Sequence, residues 1–548
     1  MTRQFYSENK SPKTAAETTK VVIVGGGTAG WLTAGIIAAR HYDKNTRLQH
    51  TEVVLVESPD VKNLGVGEGT WPTMRDTLRQ IGISEKEFLT CCDASFKQAS
   101  KFVGWSTGSN EHYYHPFTAP SGYGAINMAD HWNASANSHT NNNGSAQAFD
   151  FESWVSAQGA ICDKNLAPKM PQMQEYAFSL NYGYHLNAGK FVSLLHQHCV
   201  KNLGVKYIQG HVSQVRPAEN GDIAAIVLSH LNSGNSESTE SNMSIAGDLF
   251  IDCSGFAAIL IGKHYQVPFK SQRHVLFNDT ALALQVEHAS ADTPIASCTV
   301  ATAQDSGWIW DISLQNRRGI GHVFSSNYTS IECAEQALVN YVKSDPLLAS
   351  QPLTPRTIKF NPGHRETFWH KNCVAIGVSA GFVEPLEATA LVLIEKSAEW
   401  ISQQLPRERN AMTVLAKRFN ELTLQRWQEI IDFLKLHYIL SSRTDSPYWL
   451  AHQQPDSIPE SLQEALTLWH TQAPGVYESN QRFELFSSAS KQYVLYGMGF
   501  NSANKTASTI TQKELALIER LTGQTLNLTE KLLSNLPSNR EFLRLILK

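Results

Sequence analysis

The sequence lacks several features that mark whole classes of protein. Only 18% of its 548 residues are charged, and 46 Lys and Arg against 50 Asp and Glu leave a net charge of −4. This balance provides no basic footprint for nucleic acid. Apolar runs are also short, and none reaches the roughly 18 residues that a membrane-spanning helix needs. We therefore expect neither a nucleic-acid partner nor a membrane contact.

The eight cysteines are spread thinly and include no Cys-x-x-Cys pair. In a chain of this length such spacing is typical of reduced thiols in a cytosolic protein, and we expect no metal site. Residues 1–20 are polar and lack the apolar segment of a secretory signal, so we interpret them as a disordered tail. The expected location is the cytoplasm.

A nucleotide-binding pattern opens the rest of the chain. The β-branched run 21–24 leads into Gly25-x-Gly27-x-x-Gly30, an apolar helix follows, and a second strand ends at Glu57. In such a unit the glycines permit a tight turn and a close approach to a pyrophosphate, and the helix N-terminus attracts its charge. The acidic residue that ends the second strand is placed to bind a ribose hydroxyl.

Two later segments favour FAD over NAD. Residues 248–255 form an apolar strand ending in Asp252-x-x-Gly255, which resembles the second dinucleotide-contact strand of FAD-dependent monooxygenase folds. Residues 373–381 resemble the segment beside the flavin ribityl chain in that superfamily. The predicted fold class is therefore α/β, with a Rossmann-like FAD-binding core of the flavin monooxygenase type.

The length alone suggests three or four domains, but the order of the motifs suggests a discontinuous core. We predict an FAD-binding core over 21–390, with β-rich substrate insertions at about 105–185 and 265–355. Apolar spacings of three and four residues from about 391 onward predict a helical, substrate-capping part over 391–548.

Several further motifs occur in one order along the chain. They are Gly65-Val66-Gly67-Glu68-Gly69-Thr70, the stretch 95–105 around Lys97, the stretch 112–117 that ends in His115-Pro116-Phe117, Trp308-Ile309-Trp310-Asp311-Ile312, the stretch 382–389 around Glu387, and Arg443-Thr444-Asp445-Ser446-Pro447-Tyr448-Trp449-Leu450. On these motifs the chain resembles the flavin-dependent tryptophan halogenases from about residue 20 to its C-terminus.

The resemblance implies an enzyme that halogenates an electron-rich aromatic. Reduced FAD from a separate flavin reductase, O₂ and a halide ion would give hypohalous acid, which would reach Lys97. A lysine suits this role because its amine can hydrogen-bond the oxidant as an ammonium or form a haloamine when neutral, and burial makes the neutral form accessible. Glu387 would stabilise the positively charged aromatic intermediate or accept its proton. The resemblance is compatible with a homodimer.

The resemblance also carries over individual contacts. Those implied for FAD are Gly25, Gly27, Thr28, Ala29, Gly30, Glu57, Val212, Asp252, Val378 and Leu391. The backbone of Thr389 and Ala390 would hold the halide. The residues implied for the aromatic substrate or the walls around it are His115, Phe117, Trp308, Trp310 and Phe486.

The chain departs from the family pattern at its halide and substrate sites. Ser313 stands where the family has Pro, and Ala390 stands where it has Gly. The Tyr pair that clamps free tryptophan is not evident in 477–486, and Phe486 occupies about the place of a stacking Trp. We therefore expect an indole-like or larger aromatic rather than a free amino acid. A flavin monooxygenase that uses no halide, and a flavoprotein without enzymatic activity, stay open as alternatives.

Overall fold

A computed structural model gives the fold. The structure describes residues 19–43, 48–60, 67–132, 150–229, 243–346, 348, 353–478, 484–502 and 510–547. Residues 1–18 of the predicted tail lie outside these ranges. Thr19 and Lys20, which the sequence placed in the tail, instead begin the first strand, because they pair in register with Thr51 and Glu52.

The strands of the described residues follow one another along the whole α/β part. In chain order they are β1 (Thr19–Val24), β2 (Tyr42–Asp43), β3 (Leu48–Gln49), β4 (Thr51–Glu57), β5 (Gly67–Gly69), β6 (Ser95–Lys97), β7 (Ala99–Val103), β8 (His112–Pro116), β9 (Gly183–Asn187), β10 (Lys206–Gln209), β11 (His211–Pro217), β12 (Ile223–Ser229), β13 (Met243–Ala246), β14 (Leu249–Asp252), β15 (Phe269–Ser271), β16 (Thr280–Glu287), β17 (Thr299–Ala303), β18 (Trp308–Ser313), β19 (Arg317–Phe324), β20 (Arg356–Lys359), β21 (Gly363–Arg365), β22 (Trp369–His370), β23 (Cys373–Ala375) and β24 (Gly381–Phe382).

The helices become dominant after residue 389. In chain order they are α1 (Thr28–His41), α2 (Thr73–Ile81), α3 (Glu85–Cys91), α4 (Phe151–Val155), α5 (Gln158–Asp163), α6 (Ala188–Asn202), α7 (Ile331–Lys343), α8 (Thr389–Gln403), α9 (Arg409–Ile439), α10 (Pro447–His452), α11 (Glu460–Trp469), α12 (Ser488–Gly497), α13 (Gln512–Asn535) and α14 (Asn539–Ile546).

The nucleotide-binding pattern lies in a six-stranded sheet of order β10-β4-β1-β14-β23-β22. Strand β1 pairs in parallel with β4 on one side and with β14 on the other. Every residue from Val21 to Val24 is buried, as expected for a strand covered on both faces. The predicted α/β class is confirmed: a parallel pair flanks α1, and the later apolar strand lies beside the first one.

A second, seven-stranded sheet of order β20-β16-β19-β18-β17-β7-β8 carries most of the predicted aromatic residues. Its β18 holds Trp308 and Trp310, and its edge strand β8 holds His115. A small sheet of order β5-β9-β6 lies against it and carries Lys97 at the end of β6. Lys97 and the aromatic residues predicted from distant motifs therefore belong to adjoining sheets.

The helical part packs on the sheets through one continuous core. The main hydrophobic cluster includes Val22 of β1, Ile401 of α8, Ile430 of α9 and Phe542 of α14. Helix α9 runs for 31 residues and buries an apolar face along its second half. Among the described residues, no helix is both long and apolar enough to cross a membrane.

A buried ion pair fixes the strand that supports Lys97. The Lys169 Nζ atom lies 2.7 Å from Glu85 Oε2, and both side chains are almost fully buried. The other donors to this carboxylate are the backbone amide of Tyr176 and the hydroxyls of Tyr182 and Tyr184. Because the tyrosine rings pack on the residue preceding Lys97, the carboxylate anchors the wall of the interior.

Removing the cation of this pair should destabilise the fold. Lys169→Met leaves the Glu85 carboxylate buried without its counter-charge, which costs about 3–5 kcal/mol. The matched control Lys206→Met removes an exposed partner of Glu52 and should cost less than about 1 kcal/mol. Denaturant unfolding followed by circular dichroism measures both values. Equal midpoints for the two variants would contradict the assigned role of Glu85.

Candidate active site

A large interior cavity of about 600 Å³ lies where the carboxyl ends of β1, β4 and β14 meet. Most of the residues predicted to hold FAD line it. They are Gly25, Gly27, Thr28, Ala29, Glu57, Val212, Val378 and Leu391. The same cavity is lined by the predicted halide residues Thr389 and Ala390, and by Lys97 and Trp310. One space therefore joins segments that are more than 300 residues apart.

The glycine turn forms the end of this cavity. Gly25 has φ of 121°, and a Cβ there would lie 2.2 Å from the Cys253 carbonyl oxygen. A Cβ on Gly26 would lie 2.2 Å from Glu57 Cδ, so the Glu57 carboxyl group rests against the turn. Gly27 caps α1, whose first amides face the cavity. These residues fit a dinucleotide: bare backbone for the pyrophosphate, and a carboxyl group for the ribose.

Glu57 lies in the position expected from the sequence. It ends β4, lines the cavity and hydrogen-bonds with the Tyr207 hydroxyl. Partial burial raises its pKa above the ordinary range, and the Tyr207 hydrogen bond and the charge of His196 oppose that effect. The residue therefore faces the cavity with its side chain already oriented by a neighbour.

Three of the predicted residues, Gly30, Asp252 and Trp308, lie behind the cavity wall and do not line the cavity. A Cβ on Gly30 would lie 1.8 Å from the Gly25 carbonyl oxygen, so Gly30 allows α1 to pack on the turn. Asp252 is fully buried, and its carboxylate accepts hydrogen bonds from the Ser254 and Leu260 amides, among others. We predicted an FAD contact for Asp252, but the structure uses its side chain to hold the following turn.

Trp308 is the third residue behind the wall. Its indole nitrogen donates to Glu384 Oε2 at 2.6 Å, and its ring lies 6.4 Å from the Trp310 ring. Asn278 and Tyr438 donate to the same carboxylate oxygen. Trp310, not Trp308, reaches the cavity. Of the two rings expected to form a wall, Trp310 lines the cavity and Trp308 lies behind it, and both are buried.

The halide residues begin a helix. Ala388 has φ of 54° and caps α8, and Thr389 and Ala390 are its first two residues. The amides at the start of a 15-residue helix attract anions, because they lack intrahelical partners and carry the positive end of the helix dipole. Ala390 supplies the same amide as a glycine. The arrangement therefore fits a halide ion at the cavity wall.

Lys97 stands between the large cavity and a second one. Its side chain is 1% exposed and lines the large cavity, while its Nζ lies 5.1 Å from the centre of the Phe117 ring, which lines the second. Burial lowers the pKa of Lys97 to about 8, and the negative charge of Glu387 opposes that shift. The amine can therefore be present in both charge states near neutral pH.

The second cavity has a volume of about 310 Å³ and is mainly aromatic and apolar. Its walls include Trp71, His115, Phe117, Glu387, Lys396 and Leu485. Phe486 does not line it. Instead, the Phe486 ring stacks on the Phe433 ring at 3.8 Å and lies 5.1 Å from the Trp71 ring, which it supports. The stretch 477–486, in which no Tyr pair is evident, is described only in part, because residues 479–483 lie outside the described residues.

Glu387 is held by two histidines. Its Oε1 atom lies 2.9 Å from His115 Nδ1 and 3.0 Å from His437 Nε2, whereas Oε2 has only the Ser100 hydroxyl, at 3.5 Å. Burial alone would raise the pKa of Glu387, but the charges and hydrogen bonds of the two histidines hold it well below its ordinary range. These contacts favour the ionised carboxylate, and Oε2 keeps only the one long hydrogen bond.

Sequence reasoning missed His437, Glu384 and Trp71. Glu384 lies within the motif 382–389 and could have been noted there, and Trp71 directly follows the motif 65–70. His437 had no such signal, because it lies in the buried half of α9, 50 residues from Glu387.

Ser313 pairs with Arg318, and its carbonyl accepts a hydrogen bond from Ser95 at 2.6 Å, which ties β18 to β6.

No cluster of three or more His, Cys, Asp or Glu side chains suited to a metal ion occurs in the part of the chain that the structure describes. All eight cysteines are free thiols.

Comparison with known proteins identifies the family. The family model described as tryptophan halogenase matches residues 20–512. The chain is similar to the tryptophan 7-halogenase RebH of Lentzea aerocolonigenes, with 30% identity over 96% of this chain and 98% of that protein.

Solved structures agree with the family model. The crystal structure of a tryptophan halogenase from Shewanella frigidimarina NCIMB 400 superposes with a TM-score of 0.89 and 44% identity, covering 96% of this chain and 97% of the other. BrvH, a flavin-dependent halogenase from Brevundimonas sp. BAL3, superposes with a TM-score of 0.81 and 30% identity, covering 97% of this chain and all of the other. The FAD-binding Rossmann-type core predicted from the sequence is confirmed by these likenesses.

Removing the buried amine should stabilise the protein. The pKa of Lys97 falls from 10.5 in the unfolded chain to about 8 in the folded protein. Below pH 8 the charged amine therefore lowers the free energy of unfolding by its full amount, and this destabilisation disappears as the pH rises to 10.5. Lys97→Met should therefore raise the Tm at pH 7. The corresponding gain in the free energy of unfolding is at most about 3 kcal/mol. That gain should shrink between pH 8 and 10.5.

Lys101→Met is the matched control for this titration, since Lys101 lies one strand further on and pairs with Asp163 near the surface. The Tm difference between Lys101→Met and the wild type should not shrink between pH 8 and 10.5. A Lys97→Met protein that melts at or below the wild-type temperature at pH 7 would contradict the charging cost.

Proposed function

The chain belongs to the tryptophan halogenase family, an enzyme family, and on that premise we propose that it uses reduced FAD, O₂ and a halide ion to halogenate an electron-rich, indole-like aromatic through Lys97. The observation that carries the proposal is the position of Lys97, buried between the glycine-lined cavity and the aromatic one. A separate flavin reductase would supply the reduced cofactor.

FAD would be held by the Gly25–Gly27 turn, the first amides of α1 and the Glu57 carboxyl group. The chemistry that the reduced cofactor supplies is the conversion of O₂ and halide to hypohalous acid. Thr389 and Ala390 would hold the halide at the start of α8, where the helix dipole favours an anion. Lys97 is the polar side chain on the route from this cavity to the aromatic one.

Lys97 and Glu387 divide the substitution step between them. Lys97, as an ammonium, donates a hydrogen bond to the oxygen of hypohalous acid. The carbon–halogen bond forms as the halogen–oxygen bond breaks, and the electron pair goes to oxygen, which takes a proton from Lys97 and leaves as water. Glu387 Oε2 stabilises the cationic ring and takes its C–H proton, which then returns to Lys97.

The aromatic cavity supports a substrate without a free amino-acid group. Its wall residues Trp71, His115 and Phe117 offer ring faces. Two of its charged residues already have partners, since Lys396 pairs with Glu399, and Glu484 pairs with Lys491 at 2.7 Å. An amino acid that used Lys396 or Glu484 would have to displace these pairs, at a cost in affinity.

We also propose the division into an FAD-binding core over 21–390 and a helical capping part over 391–548, and a homodimer as the assembly. The cytoplasm remains the proposed location, because the chain carries eight free thiols.

Halogenation should depend on Lys97. Purified protein with FAD, a flavin reductase, NADH, bromide or chloride, and indole should give a halogenated product by mass spectrometry. Lys97→Met should lower the yield at least ~100-fold, because it removes the group that holds and protonates the oxidant. Lys101→Met, on the neighbouring strand, should retain activity. Equal product from the Lys97 variant would contradict the proposal.

Omission of halide in the same assay tests the monooxygenase alternative, which Ser313 and Ala390 motivate. Halogenation predicts no aromatic product without halide. Incorporation of ¹⁸O from ¹⁸O₂ into indole without halide would favour the monooxygenase.

Indole should be preferred to L-tryptophan, with kcat/KM at least ~10-fold higher, because the amino acid would compete with the ion pairs of Lys396 and Glu484 at the cavity wall. Phe117→Ala should raise the KM for indole by roughly 10-fold through loss of a ring contact. The control Tyr477→Ala removes a side chain that is 97% exposed and should change neither value. Steady-state product formation at saturating halide measures both, and a preference for L-tryptophan would contradict the substrate assignment.

A further inference from the structure

We propose that His437 carries a proton on both ring nitrogens and, as an imidazolium, is the positioning residue that keeps the Glu387 carboxylate ionised with Oε2 left without a short hydrogen bond. The role of Glu387 as a proton acceptor rests on the proposed function, whereas the protonation of His437 rests on the hydrogen bonds, the burial and the aromatic neighbours of its ring.

The hydrogen bonds of His437 require two donors. Its Nδ1 lies 2.8 Å from the Phe433 carbonyl oxygen, and a carbonyl oxygen only accepts, so Nδ1 carries a proton. Its Nε2 lies 3.0 Å from Glu387 Oε1. If the ring were neutral, Nε2 would face an ionised carboxylate with a lone pair. One proton therefore lies between Nε2 and Oε1, and we place it on Nε2, which makes the ring an imidazolium and leaves Glu387 ionised.

The surroundings of His437 favour this cation. The side chain is fully buried, so no water competes for its two protons. The Phe102 ring lies 4.7 Å away and the Phe433 ring 5.1 Å away, with Trp105 next at 6.1 Å. Aromatic faces attract cations through the ring quadrupole. A buried charge nevertheless needs a hydrogen-bonded counter-charge, which Glu387 provides.

The two histidines leave the carboxylate with one reactive oxygen. His115 and His437 both contact Oε1, whereas Oε2 has only the long contact to Ser100. His115 also lines the aromatic cavity, but His437 lies behind Glu387 and does not. His437 therefore acts through the carboxylate and not on the substrate.

Other ionisable groups face this pair from each neighbouring element. They are Lys97 on β6, Tyr113 and His115 on β8, Glu384 in the segment before α8, and Tyr438 on α9. Lys97 is a second cation whose charge interacts with Glu387. Burial raises the pKa of Glu384 and so weakens it as a competing counter-charge for His437.

The charge state of His437 is measurable without turnover. Full-length protein labelled with ¹⁵N-histidine, compared with the His437→Asn variant to assign the signal, should show two protonated ring nitrogens for His437 across neutral pH. Glu387→Gln should convert the ring to a neutral tautomer. A neutral His437 ring in the wild type, with one unprotonated nitrogen, would overturn the proposal. A protein that gives the imidazolium signal but no halogenated product would contradict the proposed function instead.

The positioning role is measurable in the pH profile. In the wild type kcat should stay flat on the acid side, because Glu387 remains ionised there. In His437→Phe the Glu387 pKa rises, so kcat should fall as the pH decreases, by roughly 100-fold at the acid end. The KM for indole should stay within about twofold. His437→Gln, which donates one hydrogen bond without charge, should restore part of the loss.

Three controls accompany this profile. His198→Gln alters another buried histidine, bonded to the Ile81 carbonyl on the far side of the core, and should leave the profile flat. Ring-deuterated indole should slow His437→Phe more than the wild type, because proton removal becomes limiting. Thermal melting and flavin binding report folding, and if His437→Phe does not fold, the Gln variant carries the test. A flat profile in a folded His437 variant would overturn the positioning role.

Discussion

The site depends on keeping two opposite charges buried near each other without joining them. Lys97 and Glu387 are each at most 3% exposed, and their charges interact, yet they form no direct ion pair. Direct contact would hold the amine permanently charged and occupy the carboxylate. The protein instead supplies separate partners: the two histidines hold Glu387 Oε1, and Phe117 lies under the amine. The surrounding sheets and helices fix these distances.

Local signals in the sequence were sufficient for the nucleotide-binding part. The run 21–24, the glycine turn and the strand ending at Glu57 obey short-range rules, since a turn with φ of 121° needs glycine and a fully buried parallel strand needs a continuous apolar run. The long helices were also readable, because the spacing of apolar residues follows the helical period. These features are set within ten to twenty residues of chain.

Side-chain roles that depend on distant partners were not readable. Asp252 matches a motif, but the structure turns its carboxylate toward the amides of the following turn. Trp308 and Trp310 lie two residues apart and so share one face of β18, yet only Trp310 lines the cavity, and the sequence did not decide which. His437 contacts Glu387 only because α9 packs against the segment before α8. Phe486 lies near the aromatic site but supports Trp71 instead of lining it.

The separation of the two cavities has an evolutionary consequence. The glycine-lined cavity is built from β1, β4 and the start of α8, whereas the aromatic cavity draws on β8, the start of α2, the stretch that precedes α12 and two residues further along α8, Val392 and Lys396. Mutations in the second set can accumulate while the redox machinery stays intact. Lineages with this fold can therefore diversify the molecules they modify without reinventing the oxidant, provided that the lysine between the two compartments is retained.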